Sequence, residues 1–259
     1  MNYEKTVILT AGSNHEDTVD SLRKYFLPTL RREGEYTGTV LIVASNIRPS
    51  IDDNNVLVRT TNYETNLEST AKRFYEFSKY LDHDGKRVVV AIDSGDIIFQ
   101  SPLEPLLNMK MDGVGIVGDT DAGGMKWNIG MAWNSINIDK FKSLESHPLL
   151  NAGMVIGRED VMKMLFDNMT ELIGDETFFG VDQISMNYVL YHPEIYRIPL
   201  VTLPPIYNYT ICHSKFELKS GRCYDANGNL VAVVHNNGRG CRRLLFSVNR
   251  DGIINIQRK

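Results

Sequence analysis

The apolar positions of this chain fall into two rhythms. Short β-branched runs at Thr6–Thr10, Thr39–Val43, Val56–Val58, Val88–Ile92 and Val114–Val117 read as buried strands. Between them the apolar residues step by three or four. Leu22, Phe26 and Leu30 mark a helix that starts near Glu16 and Asp17, with Pro28 bending or ending it. Thr65-x-x-Glu68 is a capping box, and it opens a helix with Leu67, Ala71, Phe74, Ser78 and Leu81 on one stripe, closed by Asp82-His83-Asp84-Gly85. Further on, Asn151–Gly157 reads as a short strand. A helix over 158–173 faces Val161, Met164, Leu165, Met169, Leu172 and Ile173 inward, and another begins near Asp182 and ends near Leu190.

Pro204-Pro205 breaks the chain before a Gly- and Asn-rich stretch that runs to Asn229. A late strand over 230–234 ends on His235, and the tail forms a hairpin around Asn249–Gly252. Alternating strand and helix predicts one α/β domain of Rossmann-like type. Ala122–Asn128 reads as a flexible loop able to act as a lid, and Trp133 reads as a core residue.

Composition narrows the function more than the fold. With 259 residues, 42% hydrophobic, the chain can bury a full core. A net charge of -4 gives no basic surface for nucleic acid. Cys212, Cys223 and Cys241 show no CxxC spacing, which argues against a zinc site or disulfide framework and fits a reducing compartment; Cys212 and Cys223 could pair in an oxidising one. The first residues lack signal-peptide form and no apolar run reaches membrane-spanning length, so a cytoplasmic location is expected unless an upstream segment was removed. The Asn-x-Thr sequons at Asn168 and Asn208 then carry no glycan.

The chemistry gathers at strand ends. The run Val88–Ile92 stops on Asp93-Ser94-Gly95-Asp96. A four-residue turn there brings the two Asp Cα atoms within about 7 Å of each other, outside the carboxyl end of a central strand. Two close carboxylates either form a solvated acidic turn or hold a hard cation such as Mg²⁺ or Mn²⁺. His235 also follows a strand, and a neutral imidazole can be the third ligand. Gly238, Arg239 and Gly240 offer backbone amides and charge to a phosphate, or form an ordinary turn. Arg73 is either a snorkelling surface side chain or an anion contact near the carboxylates.

Together these motifs resemble those of GT-A fold glycosyltransferases. Asp93-Ser94-Gly95-Asp96 resembles their DxD-type motif in the Asp-x-x-Asp form of the glycosyltransferase domain of procollagen lysyl hydroxylases. His235-Asn236-Asn237-Gly238-Arg239-Gly240 resembles the His-x-x-Gly-x-Lys segment of the glycogenin-like family, with arginine one residue nearer the glycine than their lysine. Asn151-Ala152-Gly153 and Asp182-Gln183 are similar to the segments that face sugar and acceptor there. Thr10-Ala11-Gly12 takes the position of their nucleotide-binding first loop.

The resemblance implies a single GT-A domain whose mixed, mainly parallel central sheet is flanked by helices, with a nucleotide-binding half over 1–110 and a sugar and acceptor half over 111–259. The expected partners are a UDP-sugar donor and a glycan or other hydroxyl acceptor, with Mn²⁺ or Mg²⁺ held by Asp93, Asp96 and His235. Donor contacts are expected from Thr10, Ala11, Gly12, Arg73, Asp93, Ser94, Gly238 and Arg239. Asp182, Gln183 and Asn151 are the catalytic candidates, with Asp182 as general base if the reaction inverts and as a sugar-positioning group if it retains. Such chemistry suits polysaccharide assembly. The competing readings are a sugar-nucleotide pyrophosphorylase, whose basic first loop Thr10–His15 lacks, and a non-catalytic nucleotide- or carbohydrate-binding module.

Overall fold

The computed structural model describes residues 5–12, 16–46, 50–119, 125–237, 244–248 and 254–259. The chain opens with strand β1 (Thr6–Gly12) and helix α1 (Glu16–Ser21). A π turn over Leu22–Phe26 and helix α2 (Leu27–Arg32) continue the same helical run. The π turn has a local cause. Pro28 has no N–H to give the preceding turn, and the Leu27 N–H reaches back to the Leu22 carbonyl instead. Strands β2 (Thr39–Ser45) and β3 (Val56–Thr61) lead to helix α3 (Asn66–Ser78), and then come β4 (Val88–Ile92) and β5 (Ile97–Phe99). Short helix α4 (Glu104–Leu107), strand β6 (Val114–Asp119) and short helices α5 (Lys126–Met131) and α6 (Ile138–Lys142) follow. Next are β7 (Leu149–Arg158), α7 (Glu159–Ile173), α8 (Val181–Tyr191) and α9 (Pro193–Tyr196). The last part holds β8 (Leu200–Thr202), β9 (Tyr209–Thr210), the hairpin β10 (Phe216–Lys219) and β11 (Arg222–Asp225), β12 (Val233–His235) and the hairpin β13 (Leu244–Val248) and β14 (Ile254–Arg258).

The main sheet has seven strands in the order β3-β2-β1-β4-β7-β6-β8. Strand β7 lies antiparallel to β4 on one side and β6 on the other, while the other pairings are parallel. Successive strand residues serve opposite faces. Val7 and Leu9 pack with Phe74, Phe77 and Phe166 of α3 and α7. Ile8, between them, packs with Leu22, Phe26, Tyr36 and Phe99 on the other face. Leu22, Phe26 and Leu30 are fully buried at the expected spacing, despite the π turn.

A second sheet, β5-β12-β9, sets up the site. β5 begins just after Asp96 and runs antiparallel to β12, which ends on His235, so Ile97 pairs with His235. β9 flanks β12 on its other edge, with Thr210 beside His235. Asp96 and His235 therefore reach the same end of that small sheet, while Asn208, the residue before β9, lies level with Val233 and meets the imidazole through its side chain.

Several sequence expectations shift. Leu67 is exposed and Phe77 is buried, because the α3 stripe turns with the 3.6-residue period toward α7. The capping box forms with an added partner: the Glu68 N–H donates to Thr65 Oγ1 at 3.1 Å, and the Glu68 carboxylate accepts from the Glu64 N–H at 2.9 Å with the Thr65 N–H beside it. In α7 Leu165, Met169, Leu172 and Ile173 are buried as expected, Met162 and Phe166 join them, Val161 is half-buried, and Met164 is exposed. Trp133 is 74% exposed, not core, since it lies in a surface turn beyond α5. Lys126, Trp127 and Asn128 belong to α5 and not to a loop, and Ala122–Gly124 lie outside the described residues. The Gly- and Asn-rich stretch contains the β10–β11 hairpin. The late strand begins at Val233 rather than Leu230. The tail hairpin forms as expected, and its turn lies outside the described residues. Cys223 is a buried thiol and is not joined to Cys212, which is buried as well. Among the described residues, no helix is long and apolar enough to cross a membrane.

Candidate active site

The carboxyl ends of β1 and β4 lie side by side, since these strands pair in parallel from Thr6↔Val88 to Leu9↔Ala91. The Ser94 hydroxyl ties the two ends together, donating to the Ala11 carbonyl at 2.8 Å. Thr10 is buried, and its Oγ1 has no hydrogen-bond partner among the described residues. The Asp93 N–H donates to the Gly153 carbonyl at 2.9 Å. That bond extends the β4–β7 pairing by one residue, holds the turn against β7 and fixes where the first carboxylate emerges.

Arg73 reaches this point from α3. One end of its guanidinium bonds Asp93 Oδ1, and Nη2 donates to Asp182 Oδ2 at 2.7 Å. The arginine, its side chain 13% exposed, is thus a half-buried bridge between two carboxylates rather than a surface side chain. Burial opposes its charge, but Asp93 and Asp182 outweigh that and push its pKa up. Asp182, 5% exposed, is raised above the ordinary carboxylate range. Burial is the main cause, Arg73 pulls the other way, and the Asp93 charge adds to the rise.

Asp182 sits in the first turn of α8, and this helix serves a gap in the main sheet. The β6–β7 register shifts between Ile116 and Gly118, opposite the stretch of β7 that carries Asn151 and Gly153. There Asn187 of α8 accepts from the Leu150 N–H at 2.8 Å and donates to its carbonyl at 2.9 Å. One turn earlier, Gln183 Oε1 accepts from the Ala152 N–H at 3.3 Å. Side chains of one helix therefore satisfy backbone groups that the neighbouring strand leaves open.

His235 Nε2 lies 3.4 Å from Asp96 Oδ1 and 3.8 Å from Asp93 Oδ2. The Asn236 N–H donates to the Asp96 carbonyl at 2.9 Å, locking the two segments in register. The imidazole lies against Gly153, where an added Cβ would sit 2.3 Å from His235 Cε1. Among the described residues no group of three His, Cys, Asp or Glu side chains forms a ready-made metal cage, and one carboxylate oxygen of Asp93 is turned to Arg73. The donor set still suits a divalent ion: two carboxylates and an imidazole whose Nε2 faces both call for a cation between them.

The structure therefore brings together Asp93, Ser94, Asp96, Arg73, Asp182, His235 and the ends of β1 and β7. Gly238, Arg239 and Gly240 lie outside the described residues. Sequence reading missed Asn208, noticed only as a sequon, and Asn187. Asn208 is buried and donates to Asn151 Oδ1 at 3.0 Å. No local pattern marks either residue, because both act on backbone or side chains far away in sequence.

No family model matches the chain, and no curated protein matches it by sequence. Solved structures do share the fold. The galactosyltransferase LgtC, in complex with donor and acceptor sugar analogues, superposes with a TM-score of 0.58 at 16% identity, covering 95% of this chain and 91% of that one. The glycosyltransferase GlyE of Streptococcus pneumoniae TIGR4 gives 0.57 at 13% identity, over 95% of this chain and 58% of GlyE. The bifunctional glycosyltransferase WbbM gives 0.53 at 13% identity, over 91% of this chain and 46% of WbbM. The fold of this chain, a mixed and mainly parallel sheet flanked by helices, is thus one found in glycosyltransferases.

Proposed function

We propose that this protein is a metal-dependent glycosyltransferase that moves a sugar from a nucleotide-diphosphate donor, of the UDP-sugar type, to a hydroxyl of a glycan or other acceptor. One observation carries the reading: Asp93, Asp96 and His235 converge at the carboxyl ends of the central strands, with a half-buried arginine beside them. That is where open α/β sheets take ligands. Asp93, Asp96 and His235 would hold Mn²⁺ or Mg²⁺. Bound there, the ion supplies Lewis-acid stabilisation of charge developing on a leaving diphosphate.

The protein's own groups do the rest. Ser94 holds the ends of β1 and β4 together, so Thr10, Ala11 and Gly12 border the nucleotide side. Arg73 fixes Asp93 and Asp182 relative to each other, and its cationic end adds to the field felt by a leaving group. Asp182, paired with Arg73, suits orienting the sugar better than abstracting a proton. Gln183 and Asn151 line the same mouth from α8 and β7. Arg239 and its flanking glycines remain the candidate diphosphate contacts. The Asp-x-x-Asp and histidine-loop resemblances to the lysyl hydroxylase and glycogenin-like domains support this reading through sequence motifs alone.

Nucleotide release from a panel of UDP- and GDP-sugars, with Mn²⁺ and then with EDTA, tests it beside Asp96→Asn. Hydrolysis of one donor, lost with EDTA and in the variant, is the expected result. Full activity in Asp96→Asn would sink the metal assignment. No release from any donor, with no thermal stabilisation by UDP or GDP and Mn²⁺, would favour a binding module.

A further inference from the structure

The geometry points to Asn208 and Asn151 as positioning residues that force the His235 imidazole to carry its proton on Nδ1 and leave Nε2 as the metal-facing atom. This rests on the metal reading of His235 given above, and it adds two residues to it.

The Gly153 backbone N–H can only donate, and it points at Asn151 Oδ1 at 2.9 Å. That atom must therefore be the amide oxygen. The Asn208 group 3.0 Å from the same oxygen must then be its NH₂. It follows that the other Asn208 atom, Oδ1, is the one 2.9 Å from His235 Nδ1. A carbonyl oxygen needs a donor, so Nδ1 carries hydrogen. In a neutral ring, Nε2 is then a bare lone pair, directed at the side of Asp96 and Asp93.

Everything in this relay is buried: Asn151, Asn208 and His235 are each at most 5% exposed. Burial keeps water from offering substitute partners. The ring cannot turn over to escape the assignment without facing Asn208 Oδ1 with a carbon, and its face is already against Gly153. A histidine that ligates through one nitrogen is held by what its other nitrogen meets. Here that partner is a neutral amide, itself oriented by a second amide and one backbone N–H.

The test reads the ring directly. Long-range ¹⁵N–¹H correlation spectra of the whole protein, recorded without metal along an alkaline pH series and read where the two ring ¹⁵N shifts themselves show a neutral ring, distinguish the two tautomers. Wild type should show Nδ1–H. Asn208→Ala should move the proton to Nε2, where it can donate to Asp96, and should weaken Mn²⁺ binding about 10- to 100-fold. Asn151→Asp, whose carboxylate still accepts from both the Gly153 N–H and the Asn208 NH₂, should keep Nδ1–H. A wild-type ring protonated on Nε2 overturns the inference, and that spectrum needs no variant to fold. Asn208→Ala with Nδ1–H and wild-type Mn²⁺ affinity overturns it too. Wild type with Nδ1–H but no affinity for Mn²⁺ upholds the relay and sinks the metal reading instead.

Discussion

Gly153→Ala is the sharpest test of how tightly the site is built. The added Cβ would lie 2.3 Å from His235 Cε1, 2.8 Å from His235 Nδ1 and 2.8 Å from Asn151 Oδ1. Ordinary contact begins near 3.4 Å, so the ring or strand β7 must give way by about 1.1 Å. Neither moves freely. β7 is paired with β4 through Met154, the Gly153 carbonyl accepts from the Asp93 N–H, and the imidazole is held at Nδ1 by Asn208. Overpacking of this kind costs about 1–3 kcal/mol. A shift near 1 Å in a catalytic group costs on the order of 100-fold in rate. Thermal melts should show a folded protein of lower midpoint, and Mn²⁺-dependent nucleotide release should fall by about that factor. A folded Gly153→Ala protein with wild-type melting, Mn²⁺ half-saturation and turnover would refute both the close packing and the role given to His235.

Three further outcomes are expected. Arg73→Lys keeps the charge but loses the fork that spans Asp93 and Asp182, so donor hydrolysis should drop about tenfold or more while the protein stays folded; unchanged kinetics would show that the bridge is incidental. Asn187→Leu leaves the Leu150 N–H and carbonyl without partners in the interior, at about 1–3 kcal/mol for each, which a denaturant titration would detect. Glu159 is buried, and although burial alone would raise its pKa, its bonds to Arg87 and the Asp82 N–H bring it below the ordinary 4.5. Its stabilisation is therefore full above that value and lost as pH falls through the lower folded pKa, so Glu159→Gln should flatten the acid limb of stability against pH and lower the plateau by about 3 kcal/mol.

Much of the sheet was legible because β-branched runs bury on both faces and need no partner to be recognised. The run Val88–Ile92 and its acidic turn marked the strand at the centre of the site. Where the reading failed, distant contacts decided. The inward face of α3 depended on where α7 lies, which Leu67 and Phe77 could not reveal locally. Trp133 has the chemistry of a core residue and sits in a surface turn. The hairpin of β10 and β11 hid within turn-forming residues. Arg73 was legible only as a pair of alternatives, because its role depends on Asp182, 109 residues away. Asn208 carried no signal at all, since its work is done on a histidine in another strand.

The bridge from Arg73 to Asp182 also has a consequence for how the molecule folds. The strands β1 to β4 lie next to one another and form from nearby sequence, whereas the site closes only when β7, α8 and β12 arrive. Contacts of such long sequence separation come at a high loop-closure cost and form late. Until then Asp93 lacks both its arginine-bridged neighbour and the Gly153 carbonyl that anchors its backbone. If Asp93, Asp96 and His235 hold a divalent ion as proposed, binding competence and completion of the fold are one event, and affinity for that ion in a refolding chain would serve as a clock for its last step.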